Sequence, residues 1–318
     1  MPRRAPVTVL VYRPDGQAAH FAGLIRVPDG RVRVHVAGTP AEAEPGVAGA
    51  GVVWAWSFPA ALYAKAARLA WVQTMGAGVD TALVPELPPG VVVTRAPGIF
   101  GPWMAEYVLG RCLWVTQRVE TYRQAQRERR WLAEVQPERL AGRTLVVVGL
   151  GDIGRTVARA ASAAGIRVVG VSRSGHRVPG VARVYRQAAL ERALREGDFV
   201  ALVLPLTAAS RGLVGARALG SMKPTAWLFN LGRAALVDEA ALVRALAERR
   251  IAGAVLDVFA TEPLPADHPL WALDNVAVTP HISGPDIPEE LARVFNENLA
   301  RFLAGRRLRH VVDRARGY

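Results

Sequence analysis

Residues 144–172 decide the fold and read TLVVVGLGDIGRTVARAASAAGIRVVGVS. The run Thr144–Val148 predicts a strand buried on both faces, and a helical stretch after the glycines leads to a second strand at Arg167–Val171. Glycines between strand and helix permit a tight bend, close approach of the backbone to a pyrophosphate and close packing of the helix on the strand. The stretch therefore predicts a dinucleotide site at a helix N-terminus. Its predicted contacts are Gly149, Gly151, Asp152, Ile153 and Gly154.

Short apolar and β-branched runs on both sides of this stretch predict further strands. The downstream runs are Phe199–Leu204, Ala226–Asn230, Gly253–Asp257 and Val276–Thr279, and the upstream runs are Val7–Val11, Val32–Val36, Val52–Trp54, Trp71–Thr74 and Val91–Thr94. Helical segments between many of them have the length that a crossover between parallel strands needs. We therefore predict an α/β protein with two doubly wound parallel-sheet domains.

The length of 318 residues also fits two domains of ordinary size. We place a Rossmann nucleotide-binding domain at residues 99–284, inserted in a discontinuous flavodoxin-like substrate domain of residues 1–98 and 285–318. One long helix over Pro102–Arg130 is predicted to bridge to the second domain. A last helix over Glu289–Leu303 is predicted to pack back on the first.

Composition restricts the class of protein. The chain is 51% hydrophobic and 21% charged, which is typical of a globular protein. The net charge is +13, but the arginines are spread along the chain, so we expect attraction of small anions and no nucleic-acid partner. Met1–Arg4 and the short run that follows do not fit a signal peptide, and no run reaches the roughly 20 apolar residues of a membrane span. We expect a cytoplasmic protein with no membrane partner, no disulfide and, from the scattered histidines, no metal site.

The end of the second strand of the stretch bears on the choice of cofactor. Enzymes that bind NAD carry an acidic residue there, about 20 residues beyond the glycines, which holds the ribose hydroxyls. This chain has Ser172, Arg173 and Ser174 instead, with Arg177 close by. A guanidinium between two hydroxyls suits the 2′-phosphate of NADP. We therefore predict NADP(H) as the cofactor, with NADH as a weaker substitute.

Polar residues that follow the later strands are candidates for catalysis, because ligands bind at the carboxyl edge of an open parallel sheet. Arg233 follows one predicted strand, Asp257 ends the next, Glu262 lies shortly after it, and His281 follows the last strand. Two further predicted cofactor contacts each directly follow a strand, namely Pro205 and Leu231.

An arginine, a carboxylate and a histidine match the reduction of a ketone by hydride. The alkoxide that forms needs a proton donor near neutral pH, which suits His281. Glu262 would favour the imidazolium and orient its ring. Arg233 would hold the substrate carboxylate or polarise the keto oxygen, and Asp257 would receive the nicotinamide carboxamide. The sequence thus predicts hydride transfer between a nicotinamide cofactor and a small anionic 2-oxo acid.

Four segments carry a resemblance to a known family. They are GLGDIG at 149–154, NLGRAALVD at 230–238, LDVFATEPL at 256–264 and TPHIS at 279–283. Together they resemble the D-isomer-specific 2-hydroxyacid dehydrogenases, and the resemblance extends from Trp71 to the C-terminus. QTMGAGVD at 73–80, EYV at 106–108, SRS at 172–174 and VDRARGY at 312–318 are similar to the glyoxylate and hydroxypyruvate reductase A group of that family.

The resemblance implies particular roles for several residues. Arg233, Glu262 and His281 would form the catalytic trio, and backbone amides near Gly76 and Ala77 would receive the substrate carboxylate. The resemblance further implies that glyoxylate and hydroxypyruvate are the substrates, reduced to glycolate and D-glycerate, and that the protein is a homodimer formed largely through its nucleotide-binding domain. Trp54 resembles a tryptophan that closes over a small substrate in this group.

Two segments depart from the family pattern, namely residues 15–44 and the loop 284–288. Because both could set the width of the substrate site, a dehydrogenase for broader or bulkier 2-oxo acids stays open. Phosphoglycerate dehydrogenase is a further alternative, and a nicotinamide-sensing binding protein with the same fold is one from another class. Formate dehydrogenases resemble the chain less well, because they place glutamine where Glu262 stands.

Overall fold

The computed structural model describes residues 5–27 and 30–318. Met1–Arg4, on which part of the argument against a signal peptide rests, lie outside the described residues. The chain divides into two compact units, the first comprising the chain up to Ile99 together with Asp286–Tyr318 and the second comprising Phe100–Pro285. The chain leaves the first unit after Ile99 and re-enters it after Pro285, and each of these points lies one residue after the predicted domain boundary.

Strands and helices alternate along much of the chain. Up to Thr94 they are β1 (Val7–Tyr12), α1 (Ala18–Gly23), β2 (Val32–Ala37), α2 (Pro40–Val47), β3 (Ala50–Ala55), α3 (Ala60–Tyr63), β4 (Trp71–Thr74) and β5 (Val92–Thr94). From Phe100 onward they are α4 (Phe100–Thr116), α5 (Val119–Arg127), β6 (Thr144–Val148), α6 (Asp152–Ala163), β7 (Arg167–Ser172), β8 (Arg183–Arg186), α7 (Leu190–Leu194), β9 (Phe199–Leu202), α8 (Ala216–Leu219), β10 (Trp227–Asn230), α9 (Glu239–Ala247), β11 (Gly253–Leu256), β12 (Val276–Val278) and α10 (Pro288–Leu303).

The first unit is built on a five-stranded parallel sheet with the order β2-β1-β3-β4-β5. This is the flavodoxin-like order. The last helix, α10, belongs to this unit and packs Phe295 on the indole of Trp54, with ring centroids 4.2 Å apart. After it, the N–H of Val312 donates to the carbonyl of Val93 in β5 at 2.8 Å. The C-terminal segment therefore completes a unit that the N-terminal segment begins.

The second unit contains a seven-stranded parallel sheet with the order β12-β11-β10-β9-β6-β7-β8. The chain enters at β6, winds outward to β8 and returns to place β9 on the other side of β6. This reversal creates a topological switch point, where Rossmann folds bind a dinucleotide. All residues of β6 and β9 are buried, as expected for strands covered by helices on both faces. The two sheets confirm the predicted fold class.

The predicted single helix over Pro102–Arg130 is wrong. It is two helices, α4 and α5, separated at Arg118, whose φ of 52° is left-handed and cannot continue an α-helix. Thr116 ends α4 with its Oγ1 donating to the carbonyl of Cys112 at 3.0 Å. Neither glycine nor proline marks the break, so the sequence has no local signal for it. Within the described residues, none of the helices has the length and apolar character needed to cross a bilayer.

Candidate active site

The turn between β6 and α6 has the backbone geometry of a phosphate-binding glycine loop. Gly149 has a φ of +105°, a conformation that residues with side chains rarely adopt. A β-carbon on Gly154 would lie 1.8 Å from the carbonyl oxygen of Gly149, so only glycine fits there. Gly151 is the N-cap of α6, and Asp152 and Ile153 form the start of the helix. With no side chain at the N-cap, the first turn of α6 can face an anion.

The loop after β7 is shaped by two serine hydroxyls. The Oγ of Ser172 accepts a hydrogen bond from the N–H of Gly175 at 3.0 Å, and the Oγ of Ser174 accepts one from the N–H of His176 at 3.3 Å. A hydroxyl that accepts still has its own hydrogen to donate. Arg173 is exposed between the two serines. The loop thus combines a cation with hydroxyl donors and contains no carboxylate, which suits a phosphate group better than a ribose diol.

Parallel pairing of β10, β11 and β12 brings the ends of these strands to one edge of the sheet. Arg233 follows β10 and is half-buried. Its backbone is held by Asn230, whose Nδ2 donates to the carbonyl of Arg233 at 3.0 Å and whose Oδ1 accepts from the N–H of Gly232 at 3.3 Å. The Nη1 of Arg233 donates to the carbonyl of Gly232 at 2.8 Å. Asn230, buried at the end of β10, thus fixes the turn that carries the guanidinium.

His281 and Glu262 form a direct pair at the same edge. Nδ1 of His281 lies 2.9 Å from Oε2 of Glu262, and the other carboxylate oxygen accepts from the N–H of Phe259 at 2.9 Å. Both oxygens of Glu262 are therefore engaged, which fixes the plane of the carboxylate and the orientation of the imidazole. Because this contact uses Nδ1, a proton that His281 donates to a substrate must leave from Nε2. The pair is accessible, with 31% of the His281 side chain and 39% of the Glu262 side chain exposed.

Asp257 lies next to this pair but is fully buried. Its Oδ1 accepts from the Oγ1 of Thr279 at 2.6 Å and from the N–H of Ile282 at 2.9 Å, and its Oδ2 accepts from the N–H of Ser283 at 2.9 Å. All three donors flank His281 in the sequence. The contact of Asp257 with a carboxamide stays a prediction, whereas its bonds within the protein hold the loop that carries His281.

The two other predicted cofactor contacts differ in their surroundings. Pro205 is exposed beyond the end of β9, and its carbonyl accepts from the Oγ of Ser210 at 2.8 Å. Leu231 is buried directly after β10, and its N–H donates to the carbonyl of Leu202 at 3.2 Å. Both follow strands next to the switch point, and their contact with a cofactor stays a prediction.

The prediction that Trp54 closes over a substrate is wrong. Trp54 lies inside β3, with none of its surface exposed, between Phe295 on one side and Phe21 in an edge contact. It is a core residue of the first unit, because its indole lies on the face of the sheet that Phe295 of α10 covers.

Trp56, which the sequence analysis missed, occupies the position expected of a site residue in the first unit. It follows the end of β3 directly, and a β-carbon on Gly76 would lie 3.2 Å from its Cζ3. Gly76 and Ala77 lie just beyond β4, and the carbonyl of Gly76 accepts from the N–H of Ala96 at 3.2 Å. The rule that selects residues just after strand ends would have identified Trp56 had the end of β3 been placed at Ala55.

Comparison with known proteins identifies the family of the chain. Residues 109–283 match the family model described as D-isomer specific 2-hydroxyacid dehydrogenase, NAD binding domain. The glyoxylate/hydroxypyruvate reductase A of Serratia proteamaculans is 32% identical over 98% of this chain and 100% of its own length.

Two crystal structures are similar over nearly the whole chain. One is a D-isomer specific 2-hydroxyacid dehydrogenase from Xanthobacter autotrophicus Py2 in complex with NADPH and MES, with a TM-score of 0.87, 35% identity and coverage of 99% of this chain and 100% of that one. The other is an NADPH-dependent glyoxylate/hydroxypyruvate reductase from Sinorhizobium meliloti in complex with NADP and sulfate, with a TM-score of 0.87, 32% identity and coverage of 99% and 100%.

The fold and the site define a nicotinamide-dependent oxidoreductase of the two-unit α/β type. More narrowly, the chain belongs to the D-isomer specific 2-hydroxyacid dehydrogenases. The resemblance seen in the sequence is confirmed.

Proposed function

We propose that this protein reduces a small 2-oxo acid with NADPH, converting glyoxylate to glycolate and hydroxypyruvate to D-glycerate. The main support for this proposal is the 2.9 Å contact between Nδ1 of His281 and Oε2 of Glu262, at the sheet edge where Arg233 also lies. A proton donor, its carboxylate partner and an anion-binding guanidinium are the protein groups that this reduction requires. The names of similar proteins, which include glyoxylate and hydroxypyruvate reductases, support the substrate class.

The glycine loop fits a dinucleotide, because no atom lies within 4 Å of the place that a β-carbon on Gly151 would take and α6 begins without a side-chain cap. Gly149, Gly151, Asp152, Ile153 and Gly154 would hold the pyrophosphate. When bound, the reduced nicotinamide supplies the hydride. Arg233 then holds the substrate carboxylate or its carbonyl oxygen and stabilises the negative charge that develops there. His281 donates a proton to that oxygen from Nε2 while Glu262 stabilises the imidazolium at Nδ1.

NADP is preferred over NAD because of the loop after β7. Arg173 can form charge-assisted hydrogen bonds to a 2′-phosphate, and Ser172 and Ser174 can donate to the same oxygens. Similar proteins bound to NADPH and to NADP support this choice.

In the first unit, the backbone amides of Gly76 and Ala77 are the proposed contacts for the substrate carboxylate. Trp56 lies against Gly76 and takes the role first given to Trp54, namely closing over a small substrate. A bulky indole at that position favours substrates with a short chain beyond the 2-oxo acid group.

A second copy of this chain is the proposed partner. Trp131 is 95% exposed, and Trp103 and Leu113 of α4 are also exposed large apolar residues in the second unit. Contact with another copy through this unit would remove these side chains from water. Light scattering should give about twice the chain mass of 34.2 kDa. The mass of a single chain at micromolar concentration would contradict the dimer.

The proposed function is tested by measuring rates with a panel of 2-oxo acids and each cofactor. We expect glyoxylate and hydroxypyruvate to react fastest, with a higher kcat/KM for NADPH than for NADH. Activity confined to branched or aromatic 2-oxo acids would contradict the proposed substrates. Binding of NADPH without turnover of any acid in the panel would favour a nicotinamide-sensing role.

A further inference from the structure

A hydroxyl of helix α4 reaches the loop that carries His281. The phenol of Tyr107 lies 2.6 Å from the Oγ1 of Thr279, which follows β12 directly. The guanidinium carbon of Arg111, one turn further along α4, lies 4.9 Å from the centre of the Tyr107 ring and helps to hold the ring in place.

The direction of the hydrogen bond between Tyr107 and Thr279 follows from the bond that Thr279 makes to Asp257. The Oγ1 of Thr279 donates its only hydrogen to the carboxylate of Asp257 at 2.6 Å, so it can only accept from Tyr107. Burial raises the pKa of Tyr107, so the phenol keeps the proton that this bond requires. Tyr107 therefore donates to Thr279, and Thr279 donates to Asp257.

Asp257 acts on the backbone next to His281. It accepts from the N–H groups of Ile282 and Ser283, the two residues after the histidine. His281 itself has a φ of 54°, a left-handed conformation that a residue with a side chain adopts only when its surroundings enforce it. Thr279, held from both sides, and Asp257 together enforce this turn.

We propose that Tyr107 is a positioning residue for His281. Its hydroxyl fixes Thr279 and orients Asp257, and these fix the turn from which the imidazole meets Glu262. The role in turnover rests on the proposed function, because it takes His281 as the proton donor. No atom of Tyr107 needs to touch substrate or cofactor.

The test compares Tyr107→Phe with Tyr122→Phe. Tyr122 lies in α5 of the same unit and donates to the carbonyl of Val135 at 2.6 Å, so both variants lose one phenolic hydrogen bond. In Tyr107→Phe we expect kcat for glyoxylate to fall about tenfold, an increase of about 1.4 kcal/mol in the barrier, with an unchanged Kd for NADPH. The primary deuterium isotope effect on kcat should rise, because a misplaced imidazole slows the chemical step. Tyr122→Phe should change neither quantity.

Variants at Thr279 test the middle residue of this series of hydrogen bonds. Thr279→Val keeps the shape but removes the hydroxyl, so it should lower kcat at least as much as Tyr107→Phe. Thr279→Ser keeps the hydroxyl and should restore most of the activity. If the hydroxyl of Thr279 only stabilised the fold, the primary deuterium isotope effect on kcat would be the same in Thr279→Val and Thr279→Ser.

Amide hydrogen exchange tests the same inference without turnover. In Tyr107→Phe, a peptide covering 279–284 should exchange faster than in the unsubstituted protein, while a peptide from α9 should not change. Unchanged exchange at 279–284, or equal acceleration in both peptides, would overturn the positioning role. If the unsubstituted protein reduced no 2-oxo acid, the proposed function would fail, and the exchange result would still decide the role of Tyr107.

Discussion

Arg13 and Asp286 lie 273 residues apart in the chain and form an ion pair of 2.8 Å between Nη1 and Oδ2. Asp15 pairs with the same guanidinium at 2.5 Å, and the guanidinium carbon lies 4.6 Å from the centre of the Phe21 ring. The side chain of Arg13 is only 8% exposed. The two segments that depart from the family pattern, one beginning at Asp15 and one containing Asp286, are therefore joined through one buried cation within the first unit.

We expect Arg13→Ala to lower the free energy of unfolding by about 2–3 kcal/mol, because it removes both ion pairs of the guanidinium and its packing on Phe21. The expected loss in free energy of unfolding is smaller than for a fully buried ion pair, since the side chains of Asp15 and Asp286 are 39% and 21% exposed. Urea titration followed by circular dichroism measures the change. Arg33→Ala, on an exposed position of β2, is the control and should cost less than about 0.5 kcal/mol. Equal losses in both variants would mean that the ion pairs stabilise nothing.

The same contact predicts a dependence of stability on pH. The hydrogen bond from Arg13 lowers the pKa of Asp15. A carboxyl group with a lower pKa in the folded chain stabilises fully above its unfolded pKa of about 3.9 and loses this contribution as the pH falls through the folded value. Asp15→Asn should therefore be less stable than the unsubstituted protein at neutral pH, by under about 1 kcal/mol because the group is partly solvated.

Thermal midpoints of the two proteins, measured from neutral pH down through the acid range, check this prediction. The difference should shrink as Asp15 becomes protonated. A difference in thermal midpoint that widened on acidification would contradict the prediction.

Trp54→Ala should destabilise the protein by about 3–5 kcal/mol, because it leaves a cavity beside Phe295 in the core of the first unit. Trp271→Ala is the control, since that indole is 53% exposed, and should cost much less. Chemical denaturation measures both. A loss of activity with unchanged stability in Trp54→Ala would return Trp54 to the substrate site.

Arg173→Asp should weaken binding of NADPH about tenfold to a hundredfold while weakening NADH little, because it replaces a phosphate-binding cation with an anion. Fluorescence titration gives both dissociation constants. Arg192→Asp, an exposed position of α7 with the same change in charge, should leave their ratio unchanged. Equal weakening of both cofactors by Arg173→Asp would exclude contact with the 2′-phosphate.

Local patterns predicted most of the architecture, because the parallel strands of both units are short apolar runs and the glycine loop has a fixed spacing. The role predicted for Trp54 came from the family resemblance and not from the position of a strand end. The predicted strand ended at Trp54, whereas β3 continues to Ala55, so the residue just beyond the strand is Trp56. Placing the strand end at Ala55 would have made Trp56, rather than the buried Trp54, the candidate at the sheet edge.

Other features have no local signature. The bonds from Tyr107 to Thr279 and from Arg13 to Asp286 join segments 172 and 273 residues apart, and depend on how the sheets assemble. The left-handed φ of Arg118 likewise has no signature in the sequence, since arginine favours helices. The residues that follow the ends of neighbouring strands can therefore be predicted from the sequence, whereas the residues that hold them in place cannot.

The role of His281 as proton donor is tested most directly by kcat for glyoxylate with saturating NADPH in His281→Ala, measured together with the Kd for NADPH. We expect kcat to fall at least about a hundredfold and the Kd to change by less than about twofold, because the variant removes a proton donor and leaves the glycine loop intact. A kcat within about threefold of the unsubstituted protein would contradict the assignment of His281 as the proton donor.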